Sequence, residues 1–472
     1  MNVSESSYIR ENKPLFRQLQ QALSEKYEYA SVLASDTRER GYRVGASGIS
    51  ITDSNTYGKR GFVARVYENG AYAEYAGNEI SSERIPEILA RINNDLAAMG
   101  SSFPRPDTPL RSEEPVSFVK STAYEIDPEA LGDEKIIEMI SGIRTRTKAL
   151  DERVMDCILN LSYQCYHKLF LSDHKDLEQN VMWTCCALAV LAGRGEEIKE
   201  SYRGFSMLGG AELLEKVEAQ APKLVKTVIE LLDSEPMIPG EYECICSPEV
   251  TGMIVHEAFG HGVEMDMFVK DRALAKDFMN EYVASEIVNM RDGAASASEV
   301  ATFFFDDEGS LAKDTLVIDH GRLVSGYADA VSAARLGIAP TGNGRRESVE
   351  RKAYTRMTNT FFEGGKDSLE DMIRSVKYGM LLDEPTSGME DPKNWGIQCM
   401  VSFAREIKDG QLTGRIFSPI VLSGYVPDLL KSISMMSTNV ELAGSGACGK
   451  GYKEWVKVSD GGPWIKARIR LG

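Results

Sequence analysis

The sequence alternates amphipathic helical segments with hairpin-like runs along its whole length. Residues 12–25 place Leu15, Leu19 and Leu23 at four-residue spacing, which predicts a helix with one apolar face. Further along, two aromatic-rich runs flank the turn ENGA and predict a β-hairpin. Helices mixed with antiparallel hairpins predict an α+β fold, not a doubly wound parallel sheet.

A change in amino-acid composition and in the predicted secondary structure near residues 234–241 predicts a boundary between two domains. The stretch SEPMIPGEYE supplies two prolines and a glycine there, and short, glycine-rich strands follow it. A chain of 472 residues is also long for a single core. We therefore expect an N-terminal α/β domain over residues 1–235, with an antiparallel sheet, and a β-rich domain over residues 236–472. Further helices are predicted over 81–100, 133–150 and 211–233 (interrupted at Pro222), strands over 154–172, 180–193 and 301–310, and a proline-rich loop over 102–117.

The net charge and the cysteine content indicate which binding partners and which cellular compartment to expect for this protein. The net charge is −17, and such a surface repels a polyanion, so we expect no nucleic-acid partner. The N-terminal residues lack a signal-peptide pattern, and the longest apolar run, roughly 181–192, is too short to span a bilayer. The eight cysteines show no paired framework and are interpreted as thiols. These features predict a cytoplasmic protein without membrane contact.

The segment IVHEAFGHG places two of the five histidines, His256 and His261, five residues apart. In a regular α-helix, residues at this spacing point about 140° apart, so their rings cannot share one small cation. A break or bulge between them, absorbed by Gly260, would allow it. On spacing alone, a metal site and a helix end with one capping histidine both remain open.

Cys448 is the best third donor for such a site. Glycines at 444, 446, 449 and 451 surround it and would let the backbone approach a buried ion closely. The same segment also fits the first seven positions of a phosphate-binding G-x-x-x-x-G-K loop. It lacks the Ser or Thr that holds magnesium and has no following helix, which argues against nucleotide binding.

Other polar groups carry weaker signals. Asp306, Asp307 and Glu308 follow an apolar run, and an acidic turn explains them better than a second metal. Arg345, Arg346 and Arg356 either face a substrate carboxylate or hold acidic loops together, and the structural role is slightly favoured. Cys185, Cys186, Cys244 and Cys246 are interpreted as buried thiols.

Five blocks, HEAFGHGVEMD, FFFDDEGS, ARLGIAPTGNGRRES, RMTNTFFEGG and GSGACGKG, occur in this order. Together they resemble the TldD branch of the TldD/PmbA metalloprotease family, often labelled modulators of DNA gyrase. The resemblance implies zinc held by His256, His261 and Cys448, with Glu257 as the general base. It also implies peptide or unfolded-protein substrates bound extended in a crevice, and a dimer with a second copy or a motif-lacking sister.

The resemblance therefore predicts a zinc metallopeptidase of the His-Glu-x-x-x-His type. The segment LLDEPTSGMEDPKNWGIQCMVSFAREI is more acidic and less glycine-rich than the family pattern, which puts substrate preference in doubt. The alternative is a regulatory or binding protein with a structural metal site. Such a protein would not need Glu257 as a base.

Overall fold

Helices and strands occur in both halves of the chain. The computed structural model describes residues 1–53, 60–99, 114–451 and 453–472. The α-helices are Ser7–Ser24, Ile85–Met99, Pro128–Leu131, Asp133–Lys148, Leu213–Leu231, Pro248–Met253, Met265–Val269, Ala330–Leu336, Leu369–Ser375 and Val426–Lys431. Single 3₁₀ or π turns are Ser82–Arg84, Ile254–Gly260, His261–Val263 and Leu274–Phe278.

A mostly antiparallel sheet organises the N-terminal half. Its main strands are, in spatial order, Ala71–Gly77, Gly61–Glu68, Tyr29–Gly45, Val154–Leu171, Lys175–Arg194 and Val116–Ser121. Gly48–Thr52 pairs with Tyr29–Gly45, and Glu197–Met207 pairs with Lys175–Arg194. Only the pairing of Val116–Ser121 is parallel among these described strands. The predicted ENGA hairpin is confirmed, since Asn69 and Gly70 both have positive φ, as a two-residue hairpin turn requires.

The two faces of this sheet meet different surroundings. Even-numbered residues of Tyr29–Gly45, such as Val32 and Tyr42, belong to apolar clusters that include residues of the N-terminal helices. Leu33, on the opposite face, packs with Phe305 of the C-terminal half. Because side chains alternate along a strand, one face of the sheet packs on the N-terminal helices and the other face packs on the C-terminal half.

The C-terminal half contains a sheet whose pairings close on themselves. Each strand of this cycle pairs with the next, and the last pairs with the first: Tyr378–Asp391, Gly240–Cys246, Ile465–Leu471, Ile420–Tyr425 and Gly396–Lys408. Gln411–Phe417 and Met435–Met436 pair onto the cycle from outside. A second sheet contains, in order, Arg322–Leu323, Thr315–Asp319, Met290–Asp292, Asn359–Phe362, Ser459–Gly462 and Glu441–Ala443. Two short pairs complete the strands: Gly344–Arg345 with Tyr354–Thr355, and Ala447–Cys448 with Val456–Lys457.

The α+β prediction is confirmed, with an α/β region followed by a β-rich region. The predicted interruption at Pro222 is wrong, because Leu213–Leu231 continues through it. Pro222 is exposed, while Ala221, Leu224 and Val225 bury the inner face of the helix and hold it together. The predicted boundary near 235 falls between this helix and Gly240–Cys246 and stays a prediction.

The predicted strand over 301–310 is also wrong. The chain there forms turns and one isolated bridge between Phe305 and Leu311. The N–H groups of Phe304 and Phe305 donate to the side chain of Gln179 and so form no ladder with a neighbouring strand. Of the predicted loop 102–117, residues 102–113 lie outside the described residues, and Val116–Ser121 is a strand. Among the helices that the structure describes, none combines the length and apolarity needed to cross a membrane.

Candidate metal centre

The helix that contains His256 begins at Pro248. The Ser247 side chain accepts a hydrogen bond from the Val250 N–H, and Pro248 occupies the first helical position. Pro248–Met253 is α-helical, Ile254–Gly260 is π-helical and His261–Val263 is a 3₁₀ turn. We call Pro248–Val263 the motif helix.

The π turn brings the two histidines onto one side of the motif helix. The His261 N–H donates to the His256 carbonyl, five residues earlier, which is the pairing that defines a π turn. The two imidazole centroids lie 5.0 Å apart with nearly perpendicular rings. The expected distortion is therefore present, although it begins at Ile254, before His256.

Gly260 contributes space and not an unusual backbone conformation. Its φ of −58° and ψ of −50° are ordinary right-handed helical values, so the prediction that it absorbs the distortion is wrong. A Cβ at this position would lie 2.4 Å from the Met357 Sδ and 3.0 Å from the Val255 carbonyl oxygen. The missing side chain lets the wide turn pack against Met357.

Cys448 reaches the histidines from a short strand near the C-terminus. Its Sγ lies 3.1 Å from the His256 Nε2 and 3.4 Å from the His261 Nε2. The three donor atoms all lie within 4.8 Å of one another. Ligands on one tetrahedral zinc, at ordinary Zn–N and Zn–S bond lengths, lie roughly 3.5 Å apart. The donor set and its spacing therefore fit one zinc ion.

A carboxylate lies behind each histidine ring. The His261 Nδ1 is 3.5 Å from Glu264, and the His256 Nδ1 is 3.7 Å from Asp460. The His256 Nδ1 is buried and has no hydrogen-bond partner. Histidine ligands commonly direct the second ring nitrogen to a carboxylate, which fixes the ring and raises its basicity. His261 is thus arranged as metal-binding histidines usually are, and Asp460 is the carboxylate nearest to the unpartnered Nδ1 of His256.

The pKa shifts reflect close contact of the donor groups. Burial would raise the pKa of Cys448, but the imidazoles of His256 and His261 hold it well below its ordinary value. Burial likewise opposes the rise in the pKa of His261, which Cys448 and Glu264 cause. Burial raises the pKa of Asp460 to about 6, with His256 acting in the opposite direction. The thiol is thus poised to act as a thiolate, the form that binds metals.

The three donors line a cleft of about 1000 Å³ between the two halves. Glu257 lines the same cleft, next to His256 in the chain, and its side chain passes close to Gly388, where a Cβ would lie 2.6 Å from the Glu257 Cγ. Segments 202–206 and 440–451 form other parts of the wall. The predicted base and the predicted ligands thus line one cleft.

The remaining sequence candidates form contacts between or within the halves. Asp307 pairs with Lys168, and Glu308 pairs with Arg65. Arg346 pairs with Glu74 of the N-terminal half. Arg345 donates to the Met357 carbonyl at 2.7 Å. The preference for structural roles agrees with these contacts, and Cys185, Cys186, Cys244 and Cys246 are free and buried.

Comparison with known proteins relates the region that contains this centre to one family of proteins. Residues 239–468 match the model of a protein family described as "PmbA/TldA metallopeptidase C-terminal domain". A Methanothermobacter thermautotrophicus protein named a metalloprotease is 25% identical over 94% of this chain and 95% of its own length. The chain belongs to the TldD/PmbA family.

Other TldD/PmbA proteins match over almost the whole chain. A Saccharolobus solfataricus protein named a zinc metalloprotease TldD homolog is 25% identical over 91% of this chain and 95% of its own length. The solved structure of TldE from Thermococcus kodakarensis has a TM-score of 0.74, at 18% identity over 96% of this chain and 99% of that one. At that identity, the structural comparison shows the fold alone.

Several residues around this TldD/PmbA centre were not found from the sequence. Glu264 lies within the block HEAFGHGVEMD, three residues after His261, and that spacing was an available signal. Asp460 gave no signal, since a strand 204 residues after His256 brings it there. Arg356 was named from the sequence, with a structural role slightly favoured, but its contact with Cys448 was not foreseen.

Proposed function

We propose that this chain is a zinc metallopeptidase that hydrolyses peptide bonds in peptides or unfolded segments. The observation that carries the proposal is the convergence of His256, His261 and Cys448 on one point of a large cleft. The names of the relatives support a metalloprotease, and one of those names includes zinc.

The number of ligands favours a catalytic over a structural metal. Structural zinc usually has four protein ligands, whereas catalytic zinc has three and keeps one position open. Among the described residues, three donors form the group that could hold a metal. This count favours the enzyme over the alternative of a regulatory protein with a structural metal site.

The proposed chemistry places Glu257 as the general base. Zinc bound here would polarise the scissile carbonyl and lower the pKa of the attacking water. Glu257 would accept the proton of that water on its carboxylate and pass it to the leaving amine. His256 and His261 would keep their Nε2 atoms turned inward, because Asp460 and Glu264 lie behind their Nδ1 atoms.

The cleft wall supports an extended substrate. Two of its segments belong to strands, Glu197–Met207 and Glu441–Ala443, that each pair on one side among the described strands. An extended peptide can pair with such an edge through its backbone, which gives little sequence preference. We further propose a cytoplasmic dimer, with a second copy or a motif-lacking sister, on the family resemblance alone.

Replacing the base without disturbing the ligands tests the function. Glu257→Gln keeps the size of the side chain, so it should retain zinc and lose peptide hydrolysis by ~10²-fold or more. The matched control is Glu138→Gln, an exposed acid of the helix Asp133–Lys148 that lies outside the residues lining the cleft, so this variant should cleave normally. Zinc content and cleavage of an unstructured peptide are measured on all three proteins.

Two results would contradict the proposal. Normal cleavage by Glu257→Gln, when a chelator stops the wild type, would remove Glu257 as the base. Zinc binding without hydrolysis of any peptide in a library would favour the regulatory alternative.

A further inference from the structure

Arg356 is a buried cation that contacts both the thiol of Cys448 and the carboxylate behind His261. Its side chain is 0% exposed. The Nη2 donates to the Cys448 Sγ at 2.9 Å, and the Nε donates to Glu264 at 3.3 Å. The Nη1 donates to the Glu454 carbonyl. One guanidinium group therefore links two parts of the candidate centre.

Glu264 makes this link continuous with the second histidine. Its carboxylate lies 3.5 Å from the His261 Nδ1 and 3.0 Å from the Lys450 Nζ. The contacts thus run from His261 through Glu264 and Arg356 to Cys448, and back to His261 across 3.4 Å. A lysine in place of Arg356 could not donate from several nitrogens held in one plane, as this arrangement requires.

A charged donor on a thiolate also changes its electronic character. A thiolate donates more charge to a metal than an imidazole does, which makes the metal a weaker Lewis acid. A charge-assisted hydrogen bond from a guanidinium holds part of that charge on the sulfur. Hydrogen bonds to ligand atoms are a general means of tuning a metal site.

We infer that Arg356 is a positioning residue that fixes Cys448 relative to Glu264 and His261 and reduces the charge that the thiolate donates. The inference rests on the metal site of the proposed function. Arg356 has no exposed surface with which to contact a substrate. Its replacement should therefore lower kcat, by ~10-fold to 100-fold as for other groups behind metal ligands, and leave KM nearly unchanged.

Cobalt(II) loading gives a readout that is independent of hydrolysis. The sulfur-to-cobalt charge-transfer band reports the energy of the thiolate electrons. Arg356→Met removes the donor, so the band should move to longer wavelength. Arg356→Lys keeps the charge and loses the planar fork, so it should give a smaller shift in the same direction. The matched control is Arg345→Lys, because Arg345 is a half-buried arginine that donates to the Met357 carbonyl and does not contact the three candidate ligands in the described structure.

Each outcome decides one question. A band in Arg356→Met at the wild-type position would overturn the inference, as would a raised KM with unchanged kcat. A wild type that binds no cobalt would instead overturn the metal site itself. Cobalt binding with the expected shift but no hydrolysis would support this inference and contradict the proposed enzyme. If both variants fail to fold, a crystal structure of the zinc-loaded wild type decides. An Arg356 Nη2 more than about 4 Å from the Cys448 Sγ overturns the inference, and a shorter contact with the N–H directed at the sulfur supports it.

Discussion

The His261 N–H donates a hydrogen bond to the His256 carbonyl, five residues earlier in the chain. This bond determines how the two rings can meet, because in a regular α-helix they would point about 140° apart. The wide turn needs room on its outer side. Gly260 leaves that room, since a Cβ there would lie 2.4 Å from the Met357 Sδ.

Gly260→Val should therefore weaken zinc binding although no ligand is changed. The added side chain must displace Met357 or the turn itself, and either movement separates the donors. We expect zinc affinity, measured by competition with a chelator, to fall by ~10-fold or more. Gly424→Val is the control, because a Cβ there meets no atom within 4 Å and Val suits its strand. Equal affinities in the two variants would mean that the turn tolerates the side chain.

The histidine segment shows how far the sequence alone could lead. Its five-residue spacing already required a distorted helix, and Gly260 was the evident place to put the distortion. The π turn begins at Ile254 instead, and its last residue, Gly260, packs against Met357, a distant residue that the local spacing does not reveal. Asp460 was unpredictable for the same reason, since strand pairing in the second sheet brings it to His256.

A regular spacing of apolar residues predicted the correct type of secondary structure for the first helix, whereas a short apolar run did not. The helix 12–25 was predicted from its leucines, and it starts earlier, at Ser7, because the Ser6 side chain caps it. The run FFF resembled a strand, yet its backbone hydrogen-bonds to Gln179 of the other half. A side chain 125 residues away cannot be inferred from the period of a short segment.

Cys448→Ser should lose more zinc affinity than any change behind the ligands. Serine keeps the size of the side chain but replaces a soft thiolate with a neutral hydroxyl, a poor zinc ligand at neutral pH. We expect a loss of more than ~100-fold, the upper end for changes outside the ligand set. Cys157→Ser is the control, since Cys157 is another free, buried cysteine. Full zinc occupancy in Cys448→Ser would exclude the thiol from the site.

Glu74 should make the stability of the chain depend on acid pH. Burial would raise its pKa, but Arg65 and Arg346 outweigh burial and lower it to about 2, from 4.5. A lowered pKa stabilises the folded state above pH 4.5, and this contribution is lost as the pH falls towards 2. We expect Glu74 to contribute on the order of 3 kcal/mol at pH 7, with about 40% of this lost by pH 3.5.

Urea unfolding of the wild type and Glu74→Gln between pH 7 and pH 3.5 measures this contribution. The stability difference between the two proteins should shrink as the pH falls. Glu79→Gln is the control, because Glu79 is 83% exposed in its pair with Arg84, and such pairs contribute little. A difference that stays constant with pH would mean that the three-residue cluster does not lower the pKa of Glu74.

Asp460 should strengthen zinc binding through His256, which it approaches within 3.7 Å. Asp460→Asn removes the negative charge and keeps the shape, so zinc affinity should fall by ~10-fold to 100-fold.

The approach of Asp460 to His256 depends on Gly252 of the motif helix, where a Cβ would lie 2.5 Å from the Asp460 Oδ1 and 2.7 Å from the Gly461 nitrogen. Gly252→Ala should therefore weaken zinc binding in the same direction by moving Asp460 away. If both changes act through one contact, the double variant should lose less affinity than the sum of the two single losses, expressed as free energies. Strictly additive losses would show that Gly252 acts on the motif helix and not through Asp460.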